Sequence, residues 1–238
     1  MNDALYFLIV RMVDLNLWGG ELVGEEYLPV KGPAVFVANH LGSTGPIGVV
    51  CSIPVRFYPW TLSKTIDPKE APEYLRVDFV EPELHLEPPL SLLVSKAICK
   101  ISVPMLNALG CIPVYQDPVK LIRTYRLSLS LLQKGKYLLV FPEDPTQAAD
   151  PECKMRPFKQ GLSRLGEMYF KATGNSLNFY PVAMHEDRKV KVGLPIAYNP
   201  YNPPARERLR IIGLLESNIR QMYLQITMGD YLGVPLPH

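Results

Sequence analysis

Val35-Phe36-Val37-Ala38-Asn39-His40-Leu41-Gly42-Ser43-Thr44-Gly45-Pro46-Ile47 is the stretch around which the 238-residue chain is organised. Four apolar residues in a row read as a strand buried on both faces. Asn39 and His40 end it, glycines at 42 and 45 turn the chain, and an apolar helix starts at about Pro46. A histidine at the carboxyl end of a strand, just before a helix, stands where open α/β sheets keep their chemistry. A histidine that only caps a strand fits the same position, so the rest of the chain has to decide between the two.

Working outward, residues 136–141 form a second continuous apolar run, ending in Pro142-Glu143-Asp144. Residues 177–184 and 189–193 read as two further strands, 111–115 as a short one, and 56–62 as one that its proline pushes toward an edge. Helices are expected over 91–109, broken or kinked at Pro104, over 117–132 with Asp117-Pro118 as its start, over 158–173, and over 206–229. In the last, Leu209, Ile212, Leu215, Ile219, Met222 and Ile226 make a core stripe. Strands alternating with helices predict an α/β fold in a single domain, with a largely parallel central sheet flanked by helices. Residues 1–20 are set apart as an N-terminal amphipathic helix and 21–238 as the main domain. Residues 64–90, rich in proline and acid, hold no period and read as an inserted loop. A lid, a partner surface or plain decoration would each fit that loop. His85 within it reads as a solvated residue.

Lysine and arginine number 25 against 23 aspartates and glutamates. A net charge of +2 gives no electrostatic case for nucleic acid. The four cysteines lie far apart with no metal-ligand spacing, so no metal is expected and free thiols in a reducing compartment are. The apolar run at 5–10 is too short to span a bilayer, and with no basic start followed by a small-residue cleavage site no signal peptide is expected. Leu5, Leu8, Ile9, Met12, Val13 and Leu17 follow a helical stripe. Packing on the core explains it, as does an interfacial helix with Phe7, Leu8 and Trp18 at the headgroups.

Three strand ends carry polar residues: Asn39-His40, Tyr115-Gln116-Asp117 and Glu143-Asp144. His40 is the general-base candidate among them. Lys64, Arg123, Arg126, Lys154, Arg156 and Lys159 are the cations available to a phosphate. Residues 154–159, which precede a helix, are the best placed.

In order and spacing these blocks resemble the glycerolipid (lysophospholipid) acyltransferase family, from about residue 21 to residue 196. Asn39-His40 through Gly45-Pro46 is similar to its Asn-His-x4-Asp block. Gly110-Cys111-Ile112-Pro113-Val114-Tyr115-Gln116 is similar to Gly-x-Ile-x-Val-x-Arg, and Phe141-Pro142-Glu143 to Phe-Pro-Glu-Gly-Thr-Arg. Phe158-Lys159-Gln160-Gly161, Tyr180-Pro181-Val182 and Gly193-Leu194-Pro195-Ile196 match further family turns. The resemblance implies a glycerol-3-phosphate acyltransferase-like fold. It also implies acyl transfer from acyl-CoA or acyl-carrier protein, as co-substrate with no other cofactor, to a (lyso)phospholipid or related hydroxyl. His40 would be the base, and Asn39, Gln116, Phe141, Pro142, Glu143, Asp144, Arg156 and Lys159 the substrate contacts. A cytoplasmic location is expected from the free thiols, and peripheral membrane contact from the amphipathic start together with the same resemblance; neither sets the oligomeric state.

Two departures stand out. The family aspartate is Gly45, and the arginine of the second block is Gln116. Loss of the aspartate removes what fixes the imidazole tautomer; in a serine-protease triad the comparable change costs roughly 10⁴ in turnover. Asp144 and Asp117 are the candidate carboxylates to take its place. A divergent acyltransferase and a catalytically inactive relative that keeps the fold to bind lipid or a protein partner are both compatible with this sequence.

Overall fold

A computed structural model describes residues 3–42 and 44–229; Ser43 of the central turn, residues 1–2 and residues 230–238 lie outside it, as does the Leu17 side chain of the N-terminal stripe. In chain order the elements are α1 (Asp3–Val13), β1 (Glu21–Val23), β2 (Ala34–Ala38), α2 (Thr44–Ser52), β3 (Phe57–Leu62) and α3 (Ser63–Ile66). Then come α4 (Ala71–Leu75), α5 (Glu81–Leu84), α6 (Leu90–Leu109), β4 (Ile112–Val114), α7 (Pro118–Gln133) and β5 (Tyr137–Val140). The chain closes with α8 (Arg164–Thr173), β6 (Asn178–Met184), β7 (Lys189–Val192), β8 (Ile196–Ala197) and α9 (Pro204–Thr227). The fold is α/β with a mostly parallel sheet flanked by helices. Its contacts gather into two compact units, residues 3–57 with 129–229 and residues 58–128.

In the first unit the strand order is β1-β7-β6-β2-β5. β2 runs parallel to β5 and to β6, and β1 parallel to β7. β6 pairs antiparallel with β7 and β8. All five residues of β2 are buried, as a strand covered on both faces must be. Phe36 anchors the core: its ring stacks on Tyr180 with centroids 5.1 Å apart and meets Phe57 edge-on. α9 lies along β6, and Leu215, Ile219, Met222 and Ile226 form its buried stripe as expected. Leu209 does not join them and is exposed.

The N-terminal segment runs as α1 and a π-helical turn, Asp14–Trp18. Trp18 is no headgroup residue. It is 3% exposed, packs in the core with Val49 and Ile53, and donates from Nε1 to Ser52 Oγ at 2.7 Å. Leu5, Leu8, Met12 and Leu15 of the same segment stay exposed.

In the second unit β3 and β4 pair in parallel, Trp60 opposite Ile112. The proline-rich stretch is not an open loop. It folds into α3, α4, a π-helical turn Arg76–Val80 and α5. Pro72 and Pro82 sit in the first turns of α4 and α5, where a missing N–H costs nothing. α6 is continuous through Pro104. Its inward positions are Ser91, Ser95, Cys99 and Val103, four residues apart, while Leu93, Ile101 and Met105 face outward. In α7, Tyr125 and Leu132 are buried, while Ile122 is half exposed.

Glycine packing gives a direct check. A Cβ at Gly48 would stand 2.7 Å from the Trp18 ring and 2.9 Å from Met184 Sδ, whereas one at Gly213 of α9 meets nothing within 4 Å. Gly48→Ala is therefore expected to lower unfolding free energy by about 1–3 kcal/mol. Gly213→Ala is expected to raise it by up to about 1 kcal/mol. Urea unfolding of the two variants measures both.

Candidate active site

Asn39 follows the last paired residue of β2 and carries the ladder on with its side chain. It is 1% exposed. Its Nδ2 donates to the Met184 carbonyl at 3.0 Å and its Oδ1 accepts the Met184 N–H at 2.7 Å. Both ends of the amide are thus engaged by the main chain at the end of β6, and Asn39 acts here as a clasp between two strand ends. The next residue, His40, donates its main-chain N–H to Glu143 Oε1 at 2.7 Å. Its exposed ring meets Phe141 edge-on, with centroids 5.4 Å apart. β5 is the other neighbour of β2, so the two flanking strands hold the two residues in turn.

Burial pushes the Glu143 carboxyl above the ordinary glutamate range, while the His40 and Arg156 main-chain amides and the Arg156 charge pull it back in part. Its Oε2 is buried without a hydrogen-bond partner among the described residues. The chain beyond Glu143 returns to it as a closed loop. Glu143 bridges Phe158 antiparallel, Asp144 N–H reaches the Pro157 carbonyl at 2.9 Å, and Lys159 N–H the Pro142 carbonyl at 2.8 Å. α9 anchors that loop: Glu216 accepts the Phe158 N–H, and Arg220 pairs with Asp150.

The structure brings Asn39, His40, Phe141, Pro142, Glu143, Asp144, Arg156 and Lys159 into the first unit. Gln116 is exposed beyond β4 in the second. Asp144 is engaged locally. Its carboxylate accepts from Thr146 N–H and Oγ1 at 3.1 and 2.8 Å and faces Lys159 Nζ at 3.4 Å, which together hold it below the usual carboxylate range. Asp117 caps α7, accepting the N–H groups of Lys120 and Val119 at 3.0 and 2.8 Å. Arg156 gives its Nε to the Gln147 carbonyl at 3.0 Å. Gly45 is buried in the first turn of α2. A Cβ there would lie 3.5 Å from Leu41 Cβ and 3.7 Å from the His40 carbonyl carbon, ordinary contact distances. Position 45 can therefore take a Cβ against the His40 segment.

Met184, Glu216 and Arg220 are participants that motif reading passes over. Met184 acts only through its main chain, which no residue type signals. Glu216 and Arg220 are four apart on a helix face and read as solvated charges.

No protein-family model matches the sequence, and no curated protein matches it. Among solved structures the chain is similar to the 1-acyl-sn-glycerophosphate (LPA) acyltransferase PlsC from Thermotoga maritima. The TM-score is 0.54 and the identity 14%, over 95% of this chain and 84% of that one. The likeness establishes a shared fold.

Glu143 titration supplies a test of the clamp. Its folded pKa lies above the ordinary 4.5, so the stability its neutral form contributes is complete below that value and is lost as pH rises through the folded one. Glutamine keeps an oxygen for His40 N–H and never ionises. The stability of Glu143→Gln relative to wild type is expected to grow as pH rises from about 4 through the titration and then level off. Denaturant unfolding across pH 4–8 reads the difference; a flat difference contradicts a buried, strained carboxylate.

Proposed function

We propose that this chain is an acyltransferase that moves an acyl group from a thioester donor to a hydroxyl acceptor, with His40 as the general base. The observation that carries the reading is the pair of restraints on His40: the Asn39 clasp to Met184 and the main-chain bond to Glu143. They hold the main chain of an exposed histidine at a parallel-strand end, in a fold shared with a lysophosphatidate acyltransferase.

In the proposed reaction His40 removes the proton of the acceptor hydroxyl as its oxygen attacks the thioester carbonyl. The tetrahedral species collapses, the carbon–sulfur bond breaks, and the thiolate leaves with the proton the imidazolium returns. Arg156 and Lys159 are the proposed contacts for an acceptor phosphate, Lys159 by exchanging its Asp144 partner. Phe141 forms an apolar wall beside the imidazole. Acyl-CoA or acyl-carrier protein is the proposed donor, a (lyso)phospholipid or related alcohol the proposed acceptor, and a membrane surface in a reducing compartment the proposed setting. Gly45 favours a second reading, a lipid- or partner-binding relative that has lost the chemistry, because no carboxylate stands at that position to orient the ring.

Acyl transfer from both donors to a panel of glycerol-based and other alcohols separates the two. His40→Ala is expected to reduce the rate by about 10²–10⁴-fold. Gly45→Asp, at a position that admits a Cβ, is expected to increase it. Equal background rates for wild type and His40→Ala, with lipid binding intact, would sink the catalytic reading and leave the binding one.

A further inference from the structure

α6 is built inside out for a helix of a water-soluble fold. By length and composition it could cross a membrane, yet only 17% of its most apolar window is buried. A core helix of that composition would be mostly covered. The residues it does bury are the small ones, and Ser91 and Ser95 lead that stripe. Ser91 Oγ is tied to Glu81 Oε1 at 3.0 Å, and Cys99 and Val103 pack on Ala71. On the opposite side Leu90, Leu93 and Ile101 are 51%, 63% and 74% exposed, with Met105 a turn beyond. At 100° per residue these four, with Ala97 between them, form one continuous apolar stripe.

Charge decides what covers that stripe. Lys96 and Lys100, both exposed, lie one turn apart along one of its borders. From Pro88 to Gln116 the sequence holds no aspartate or glutamate. An apolar stripe edged by lysines and lacking acids fits an anionic lipid surface, where leucine and isoleucine enter the acyl boundary and lysines reach the headgroups. A second copy of the same face would bring four uncompensated lysines together. The inner stripe is hydrogen-bonded and packed to its own unit, so the helix has one free side and lies along the bilayer rather than through it.

We propose that the outward face of α6 is a docking surface for anionic lipid bilayers. The inference stands apart from acyl transfer and needs no activity to test. Full-length protein is to be floated with phosphatidylcholine vesicles with and without phosphatidylglycerol. Wild type is expected to bind only when phosphatidylglycerol is present, and to release as salt is raised. The double variant Leu93→Glu, Ile101→Glu is expected to bind about tenfold or more weakly. Lys96→Glu with Lys100→Glu is expected to remove the phosphatidylglycerol preference, and Leu8→Glu with Met12→Glu on α1 to bind like wild type. An Ile101→Trp variant should gain a blue-shifted emission quenched by brominated lipid, a readout that holds if the acidic variant misfolds. Wild-type binding by the α6 acidic variant, loss of binding through α1 instead, or an unquenched Trp at 101 would each overturn the proposal. So would a vesicle-free dimer that the same substitutions dissolve, since the face would then be a self-interface.

Discussion

Everything specific to this site depends on one side-chain amide closing a gap between two strand ends. β2 and β6 stop pairing at Ala38 and Val182, and the next main-chain groups would separate if nothing joined them. Asn39 joins them by offering a donor and an acceptor to the same residue, Met184. Buried polar groups are costly unless paired, so this contact tolerates few alternatives at position 39. His40 follows directly, and Glu143 takes up its main-chain N–H. A residue expected from its place in a motif to meet substrate thus also ties two strand ends together.

The same economy explains how much was legible beforehand. β2, β5 and most of β6 were readable because an uninterrupted apolar run between turn residues has few other uses. The α9 stripe was readable for the same reason, except at Leu209, where the period admits the residue and the structure leaves it exposed. What could not be read is direction. α6 carries two stripes at helical spacing, one small and partly polar, the other large and apolar, and periodicity alone does not say which faces protein. Trp18 has the composition of a headgroup anchor, yet Ser52 satisfies its indole N–H inside the core. The 64–90 stretch lost its period because turns of different pitch follow one another there.

The candidate site shows a parallel contrast. His40, Phe141 and Glu143 were legible from their positions at strand ends, and the structure sets them side by side. Asp144 and Asp117 looked available as orienting carboxylates but serve the turns and helix that begin beside them, a common use of aspartate followed by two or three main-chain amides. Gly45 was legible as a departure, and a Cβ there would meet its neighbours only at ordinary contact distances. The His40 main chain is therefore held from behind, with Phe141 at the edge of the ring, and the helix ahead of it carries no carboxylate.

The restraint on His40 is open to direct measurement by amide hydrogen exchange. His40 is a surface residue, so its N–H owes any protection to Glu143. In wild type that amide is predicted to exchange slowly. In Glu143→Ala it should exchange at least about tenfold faster, as loss of a charge-assisted bond implies, while the β2 amides keep their rates. A His40 amide that exchanges freely in the wild-type protein would contradict the account at its centre.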